Sequence, residues 1–167
     1  MFSGKTEELI RRIRRAQIAK MSTSIFKPKI DSRFGKDHIV SHNQEKMKSC
    51  TIDKPSDMLK LVNKTQVIGI DEAQFFDESL IDISKILASR GKRIIIAGLD
   101  TDYRGTPFGP MPGIMCEADY LDKLRAICIK CGNPASYTQR TTSDNNQILL
   151  GELDKYEARC RNCFKVP

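Results

Sequence analysis

Three residues near the start of the chain have the types and spacing of a phosphate-binding loop. They are Gly4, Lys5 and Thr6, which match the last three positions of the pattern G-x-x-x-x-G-K-[ST]. In such a loop, backbone N–H groups surround the phosphates, the lysine binds the β and γ oxygens, and the hydroxyl binds Mg²⁺. The first glycine of the pattern and the strand before it would precede Met1, so we expect the numbered sequence to lack the first strand of the fold.

Two acids at the end of an apolar run support the same interpretation. The run Val67–Ile70 has the composition of a buried strand and is followed by Asp71 and Glu72. Enzymes with a phosphate-binding loop use an acid at the end of such a strand to hold Mg²⁺ beside the loop. A second carboxylate next to it can accept the proton of a substrate hydroxyl. The alternative is that both acids cap a turn and do no chemistry.

An acid and an arginine follow another short β-prone run. The run covers residues 23–26 and stops at Pro28, and Asp31 and Arg33 come after it. The carboxylate could bind a metal-bound water, and the guanidinium could stabilise the charge on a transferring phosphoryl group. The alternative is an ordinary ion pair on the protein surface.

Aromatic side chains beyond the acid pair could form the walls of a base-binding site. Phe75 and Phe76 follow Gln74, whose amide can bind the edge of a base while a ring stacks on its face. The alternative is that Phe76 packs in the core beneath the next helix. Further aromatic walls are offered by Tyr103, Phe108 and Tyr156.

Four of the six cysteines form two Cys-x-x-Cys pairs near the end of the chain. Cys128 pairs with Cys131 and Cys160 pairs with Cys163, which is the spacing of zinc ribbons. Two such pairs make a tetrahedral site closed by four protein ligands, so Zn²⁺ would have a structural role and not a catalytic one. Redox pairs or unliganded thiols are the alternatives. The pattern is not that of a small disulfide-rich secreted domain, and it indicates a reducing compartment.

Helical and strand patterns alternate along the first part of the chain. Continuous apolar strands between amphipathic helices predict an α/β fold with a mostly parallel sheet covered on both faces. Ligands of such sheets bind at the carboxyl ends of the strands, where the acid pair and the loop are expected. The predicted helices are 6–20, 55–63 and 78–90, the predicted strands are 23–26, 67–70 and 93–98, and residues 31–51 are predicted as a long loop with an edge hairpin.

The sequence pattern changes after residue 120: helical periodicity is no longer found, and both cysteine pairs follow. We predict a nucleotide-binding domain over residues 1–123 and a small metal-binding lobe over residues 124–167. A chain of 167 residues can bury a core of this kind without crosslinks. The net charge of +7 allows either a solvated basic surface or attraction for nucleotides and nucleic acid. No apolar run approaches the roughly 20 residues of a membrane span.

In chain order, these motifs resemble the cellular, zinc-containing type of thymidine kinase. The resemblance covers essentially the whole chain, and its most specific parts are Asp-Glu-x-Gln-Phe-Phe at 71–76 and the two cysteine pairs. The other matching runs are Met-Phe-Ser-Gly-Lys-Thr at 1–6, Phe-Lys-Pro-Lys-Ile-Asp-Ser-Arg at 26–33, Ala-Gly-Leu-Asp at 97–100 and Pro-Phe-Gly at 107–109.

The resemblance implies a P-loop fold with a zinc lobe whose lasso loop binds substrate. The reaction it implies is phosphoryl transfer from ATP to the 5′-hydroxyl of thymidine, with deoxyuridine also accepted. Glu72 would be the base, Asp31 would assist the metal and Arg33 would stabilise the transition state. The residues expected to bind ATP and Mg²⁺ are Ser3, Gly4, Lys5, Thr6 and Asp71. The residues expected to bind the nucleoside are Met1, Gln74, Phe75, Leu99, Tyr103, Phe108, Tyr156 and the backbone of Ile148, Leu149, Leu150 and Gly151.

The resemblance also implies a structural Zn²⁺, Mg²⁺ bound with ATP, a homotetramer, and a cytoplasmic enzyme with neither membrane nor nucleic-acid partners. Two other functions fit part of the pattern. A nucleic-acid ATPase with a DNA-binding zinc ribbon would be consistent with the positive net charge, but no long tract of basic and aromatic residues accompanies the ribbon. A non-enzymatic zinc scaffold would leave the strand-end acids beside Lys5 without a purpose.

Overall fold

A parallel four-stranded sheet forms the centre of the protein. The computed structural model describes residues 1–30, 38–40, 46–142, 146 and 155–166. Its strands are β1 (Thr23–Pro28), β4 (Cys50–Ile52), β5 (Val67–Ile70) and β6 (Arg93–Ile96). Their spatial order is β4–β1–β5–β6, and all three pairs of neighbouring strands are parallel. The predicted α/β class and the three predicted strands are confirmed.

Successive residues of a strand point to opposite faces of the sheet, and in β1 and β5 both sets include apolar residues. Helices therefore cover both faces. On one face, Ile25 and Val67 pack against the first helix, α1 (Lys5–Ile18). On the other face, Phe26 and Ile68 pack against a later helix, α3 (Ser79–Ser89). The short helices are α2 (Met58–Leu61) and α4 (Met111–Glu117). None of the helices in the described ranges is long and apolar enough to cross a membrane.

The long helices lie where the apolar periodicity predicts them. Leu9, Ile13 and Ala16 are buried at the spacing of one helical face in α1. In α3 the buried residues are Leu80, Ile83 and Leu87, which repeat in the same way. The predicted helix 55–63 is a 3₁₀ turn followed by α2, and it begins with proline as expected.

Among the described strands and α-helices of residues 1–123, β4 and α4 were not predicted from the sequence. The edge strand β4 has only one buried residue, Ile52, so it shows no apolar run. Helix α4 has Pro112 in its first turn, where proline is tolerated, and it contains Gly113, which is a poor helix former. Gly113 allows α3 to approach closely, since a Cβ there would lie 2.3 Å from Cδ1 of Ile81.

A hairpin lies between the first strand and the edge strand, as predicted for residues 31–51. Its strands are β2 (His38–Val40) and β3 (Lys46–Lys48), which pair antiparallel. The buried Lys27 of β1 donates a hydrogen bond from Nζ to the backbone oxygen of His38 at 2.9 Å. This bond fastens the hairpin to the central sheet.

The C-terminal part consists of two small antiparallel ribbons. One pairs β7 (Ala126–Ile127) with β8 (Pro134–Ala135), and the other pairs β9 (Tyr137–Arg140) with β10 (Tyr156–Arg159). Their shared core contains small side chains and two cysteines, namely Ala126, Cys128, Ala135, Ala158 and Cys160. The domain boundary at residues 123 and 124 stays a prediction.

Candidate active site

The phosphate-loop residues lie at the N-terminus of α1. Gly4 precedes the helix with a φ of +77°, a left-handed conformation that glycine adopts without strain. Its carbonyl oxygen accepts the hydrogen bond from the N–H of Glu8 at 2.9 Å, which begins the helix. Lys5 and Thr6 therefore occupy the first turn, where the exposed N–H groups and the helix dipole favour anions.

Thr6 contacts the acid that ends β5. Its hydroxyl lies 3.1 Å from one carboxylate oxygen of Asp71 and 3.4 Å from the other, although the two residues are 65 positions apart. The N–H of Asp71 donates to the backbone oxygen of Phe26 at 2.9 Å, so the neighbouring strand holds the acid in place. A hydroxyl and a carboxylate from two elements thus meet at the carboxyl edge of the sheet.

Asp71 is buried, and its surroundings favour a bound cation. Burial first, and the charge of Glu72 second, raise the pKa of Asp71 to about 7, while Lys5, the N–H of Glu72 and the Thr6 hydroxyl oppose this shift. The ordinary pKa of an aspartate is 3.8, so the unfolded chain loses this proton at a lower pH than the folded protein does. The free energy of unfolding therefore decreases as the pH rises from about 3.8 to about 7. A divalent cation beside the carboxylate would offset that cost.

Glu72 adopts a strained backbone conformation directly after Asp71. Its φ is +50° and its ψ is 41°, in the left-handed region that residues with a Cβ rarely occupy. Its N–H donates to Asp71 Oδ1 at 3.0 Å, and its side-chain Oε2 accepts a hydrogen bond from Gln74 Nε2 at 2.6 Å. Strain of this kind is found preferentially at functional sites, and here neighbouring groups hold the carboxylate in one position.

Gln74 connects Glu72 to the next strand of the sheet. It is 2 % exposed, and its Oε1 accepts the N–H of Leu99, just beyond β6, at 3.0 Å. Both ends of its amide are therefore bonded inside the protein. We assign Gln74 to orienting Glu72, and its contact with a nucleoside stays a prediction.

Two of the aromatic side chains predicted to bind the nucleoside, Tyr103 and Phe108, lie in the segment after β6. The rings of Phe75 and Phe108 meet edge to face, with centroids 5.6 Å apart. Phe76 is buried among the core residues beneath α3, as its alternative interpretation held. Tyr103 and Tyr156 are also buried. The Asp102 carboxylate stabilises the turn that carries Tyr103 by accepting hydrogen bonds from the N–H groups of Arg104 and Thr106. No sequence pattern indicated these hydrogen bonds.

A cavity of about 140 Å³ lies between α1, β6 and residues 121–124. Its lining includes Met1, Ser3, Lys5, Leu99 and Asp100. Its lining residues do not include Glu72 or the four aromatic residues predicted for the nucleoside pocket, so the shared pocket of Met1 and Leu99 with those residues stays a prediction. The predictions for Asp31, Arg33, Ile148, Leu149, Leu150 and Gly151 concern residues outside the described ranges.

The four paired cysteines form one compact cluster. All four Sγ atoms lie within 4.8 Å of one another, with Cys131 Sγ 3.5 Å from that of Cys160 and 3.6 Å from that of Cys163. Four thiolates around a tetrahedral Zn²⁺ at 2.3 Å would be separated by about 3.8 Å, so the donor set and its spacing fit this metal. The cluster connects the two ribbons, because one cysteine pair follows β7 and the other follows β10.

The comparisons with known proteins agree with the site. The family profile described as thymidine kinase matches residues 1–164. A thymidine kinase of Rhodothermus sp. (strain ITI 518) is 50% identical over 167 residues, which are 100% of this chain and 78% of the relative. A thymidine kinase of Bacteroides thetaiotaomicron is 51% identical over 164 residues, which are 98% of this chain and 82% of the relative. On this evidence, the chain belongs to the thymidine kinase family.

Proposed function

We propose that this protein transfers the γ-phosphoryl group of ATP to the 5′-hydroxyl of thymidine and, less selectively, of deoxyuridine. The observation that carries the proposal is the meeting of Lys5, Thr6, Asp71 and Glu72 at one edge of the sheet. A phosphate-binding helix terminus, a metal-binding acid and a base are then within one site. These are the components that phosphoryl transfer to an alcohol requires.

The donor side of the site consists of the loop and the first acid. Ser3, Gly4 and Lys5 would bind the phosphates of ATP through backbone N–H groups and the ammonium group. Thr6 and Asp71 present the oxygen ligands that Mg²⁺ prefers. Mg²⁺ bound there with ATP would neutralise charge on the phosphates, and Asp31 would assist it.

Glu72 would act as the base on the acceptor side. Its carboxylate takes the proton of the 5′-hydroxyl as that oxygen forms a bond to the γ-phosphorus. The bond from this phosphorus to the bridging oxygen breaks, and ADP leaves with the electron pair. The hydrogen bond from Gln74 keeps the carboxylate directed at one position during this step. Arg33 would balance the charge on the transferring group.

The nucleoside would lie against the aromatic side chains near Glu72. Aromatic rings for this contact are supplied by Phe75, Tyr103, Phe108 and Tyr156, and the two tyrosines also offer hydroxyl groups. Backbone groups of residues 148–151 would bind the base edge. An apolar gap near Met1 and Leu99 would accept the thymine methyl group. A methyl contact contributes only about 1 kcal/mol, which explains why deoxyuridine would also react.

We further propose that the cysteine cluster binds a structural Zn²⁺, and that the protein is a cytoplasmic homotetramer. Zinc is supported by the number and spacing of the thiols. The tetramer and the compartment follow from the family alone. Small molecules are the expected partners, without a membrane or nucleic acid.

Replacing Cys131 with serine should release the zinc, because three thiolates and a hydroxyl bind Zn²⁺ far more weakly than four thiolates. We expect less than one metal ion per two chains by atomic absorption, and faster amide exchange in β9 and β10. The matched control is Cys116→Ser, since Cys116 is exposed and lies outside the cluster. Full metal retention in the Cys131 variant would contradict this assignment.

The reaction itself is tested with the full-length protein, ATP, Mg²⁺ and a panel of nucleosides. ADP release should require thymidine or deoxyuridine, and the purine nucleosides should give only background. Single-stranded DNA without nucleoside should have no effect. ADP release that depends on DNA and not on thymidine would instead identify a nucleic-acid ATPase.

A further inference from the structure

Arg140 is a buried cation that belongs to none of the sequence motifs described above. It ends β9 and is 7 % exposed. The carbon of its guanidinium group lies 3.6 Å from the centre of the Tyr103 ring, so the two groups are in direct contact. The group also donates from Nη2 to the Tyr156 hydroxyl at 2.8 Å and from Nη1 to the backbone oxygen of Asn146 at 2.5 Å.

These contacts join three separate segments of the chain. Tyr103 lies in the turn after β6, which belongs to the nucleotide-binding part of the protein. Tyr156 begins β10, and Asn146 lies within the connection between β9 and β10. One side chain therefore bridges the central domain and the ribbon that would carry the nucleoside-binding loop.

The geometry requires an arginine and not simply a positive charge. A guanidinium group is planar, so it can contact a ring with its face while its N–H groups donate in the plane. A lysine ammonium group is a compact point charge and cannot make both kinds of contact at once. Since the site is buried, losing a donor to the Tyr156 hydroxyl would leave that hydroxyl with one partner fewer.

We propose that Arg140 is a positioning residue for the nucleoside: it sets the relative placement of Tyr103 and Tyr156. This inference rests on the proposed function, because both tyrosines are assigned there to the nucleoside pocket. The phosphate-binding residues at the start of α1 make none of these contacts among the described residues. Arg140 therefore acts on nucleoside affinity and not on ATP affinity.

The test compares the steady-state kinetics of Arg140→Lys with those of the wild-type enzyme. The KM for thymidine should increase by about tenfold to a hundredfold, as expected for losing a charged hydrogen bond and a ring contact. The KM for ATP should stay within about twofold, and equilibrium dialysis without ATP should show the same loss of thymidine affinity. A purely structural role would alter both substrates together or neither.

Arg159→Lys is the matched control. Arg159 is a buried arginine in the same two-stranded ribbon, and its described ion-pair partner is Glu157, not a pocket tyrosine. Its replacement should lower thermal stability without raising the KM for thymidine selectively. An equal selective increase in both variants would contradict the assignment to Arg140.

A second variant decides the question if Arg140→Lys does not fold. Arg140→Gln replaces the guanidinium group with a shorter, uncharged amide, so its KM for thymidine should also rise while that for ATP stays constant. Tyr156→Phe removes the hydroxyl that Arg140 binds, and when it is combined with a folded Arg140 variant the double variant should lose less affinity than the sum of the two, since the residues share one contact. Unchanged thymidine affinity in the folded variant would overturn the proposal. Absence of thymidine turnover in the wild-type enzyme would overturn the proposed function, and this inference with it.

Discussion

Glu72→Gln is expected to lower kcat by about 10²–10⁴-fold, because a neutral amide cannot take the proton of the 5′-hydroxyl. Thymidine should still bind. The glutamine has the same shape, and its amide oxygen can accept the hydrogen bond that Gln74 now donates to the carboxylate. The measurements are kcat for thymidine phosphorylation and the thymidine Kd from equilibrium dialysis.

The control for this variant is Glu78→Gln. Glu78 is exposed, lies six positions further along the chain, and precedes α3. Its replacement should leave kcat and both KM values unchanged. A Glu72→Gln enzyme with nearly normal turnover would remove Glu72 from the role of base. Equal losses of turnover and thymidine binding would indicate a disturbed pocket instead.

Gly109→Ala is expected to destabilise the fold strongly and to impair the enzyme that still folds. Gly109 has a φ of +50°, and a Cβ there would lie 2.3 Å from the backbone oxygen of Gln74. The left-handed conformation alone costs about 1–2 kcal/mol for a residue with a Cβ, and the overlap adds about 1–3 kcal/mol. The overlap can be relieved only if the backbone of Gly109 or Gln74 moves. Because Gln74 orients Glu72, kcat should fall as well.

A second glycine separates the two contributions. Gly91 follows α3 with a φ of +73°, and a Cβ there would meet nothing within 4 Å. Gly91→Ala should therefore lose only about 1–2 kcal/mol and keep its kcat. Urea unfolding of both variants gives the comparison. Equal losses of unfolding free energy would show that the close approach of Gly109 to Gln74 is unimportant.

Local patterns in the chain were sufficient to predict the chemistry and most of the helices and strands of residues 1–123. The helical periodicity of Leu9, Ile13 and Ala16 depends only on residues within a few turns, so it could be read directly. The cysteine spacing predicted the thiol cluster for the same reason: each Cys-x-x-Cys pair is a local motif. Strand-end acids could be assigned to one edge because parallel sheets collect ligands there.

Tertiary structure alone decided how those groups contact one another. The bonds from Thr6 to Asp71 and from Leu99 to Gln74 join residues far apart in the chain, and no periodicity encodes such pairs. The close approach of α3 to Gly113 of α4 likewise joins segments that no local pattern pairs.

The clearest case is Arg140, an isolated arginine in a polar run whose sequence resembles that of any exposed edge strand. Its importance arises only when folding buries it between Tyr103 and Tyr156. Residue type and spacing thus determined which chemistry the chain carries, since reactive groups and secondary structure follow from local sequence. Long-range packing determined which side chains hold those groups in position, because burial and partnership depend on the whole fold.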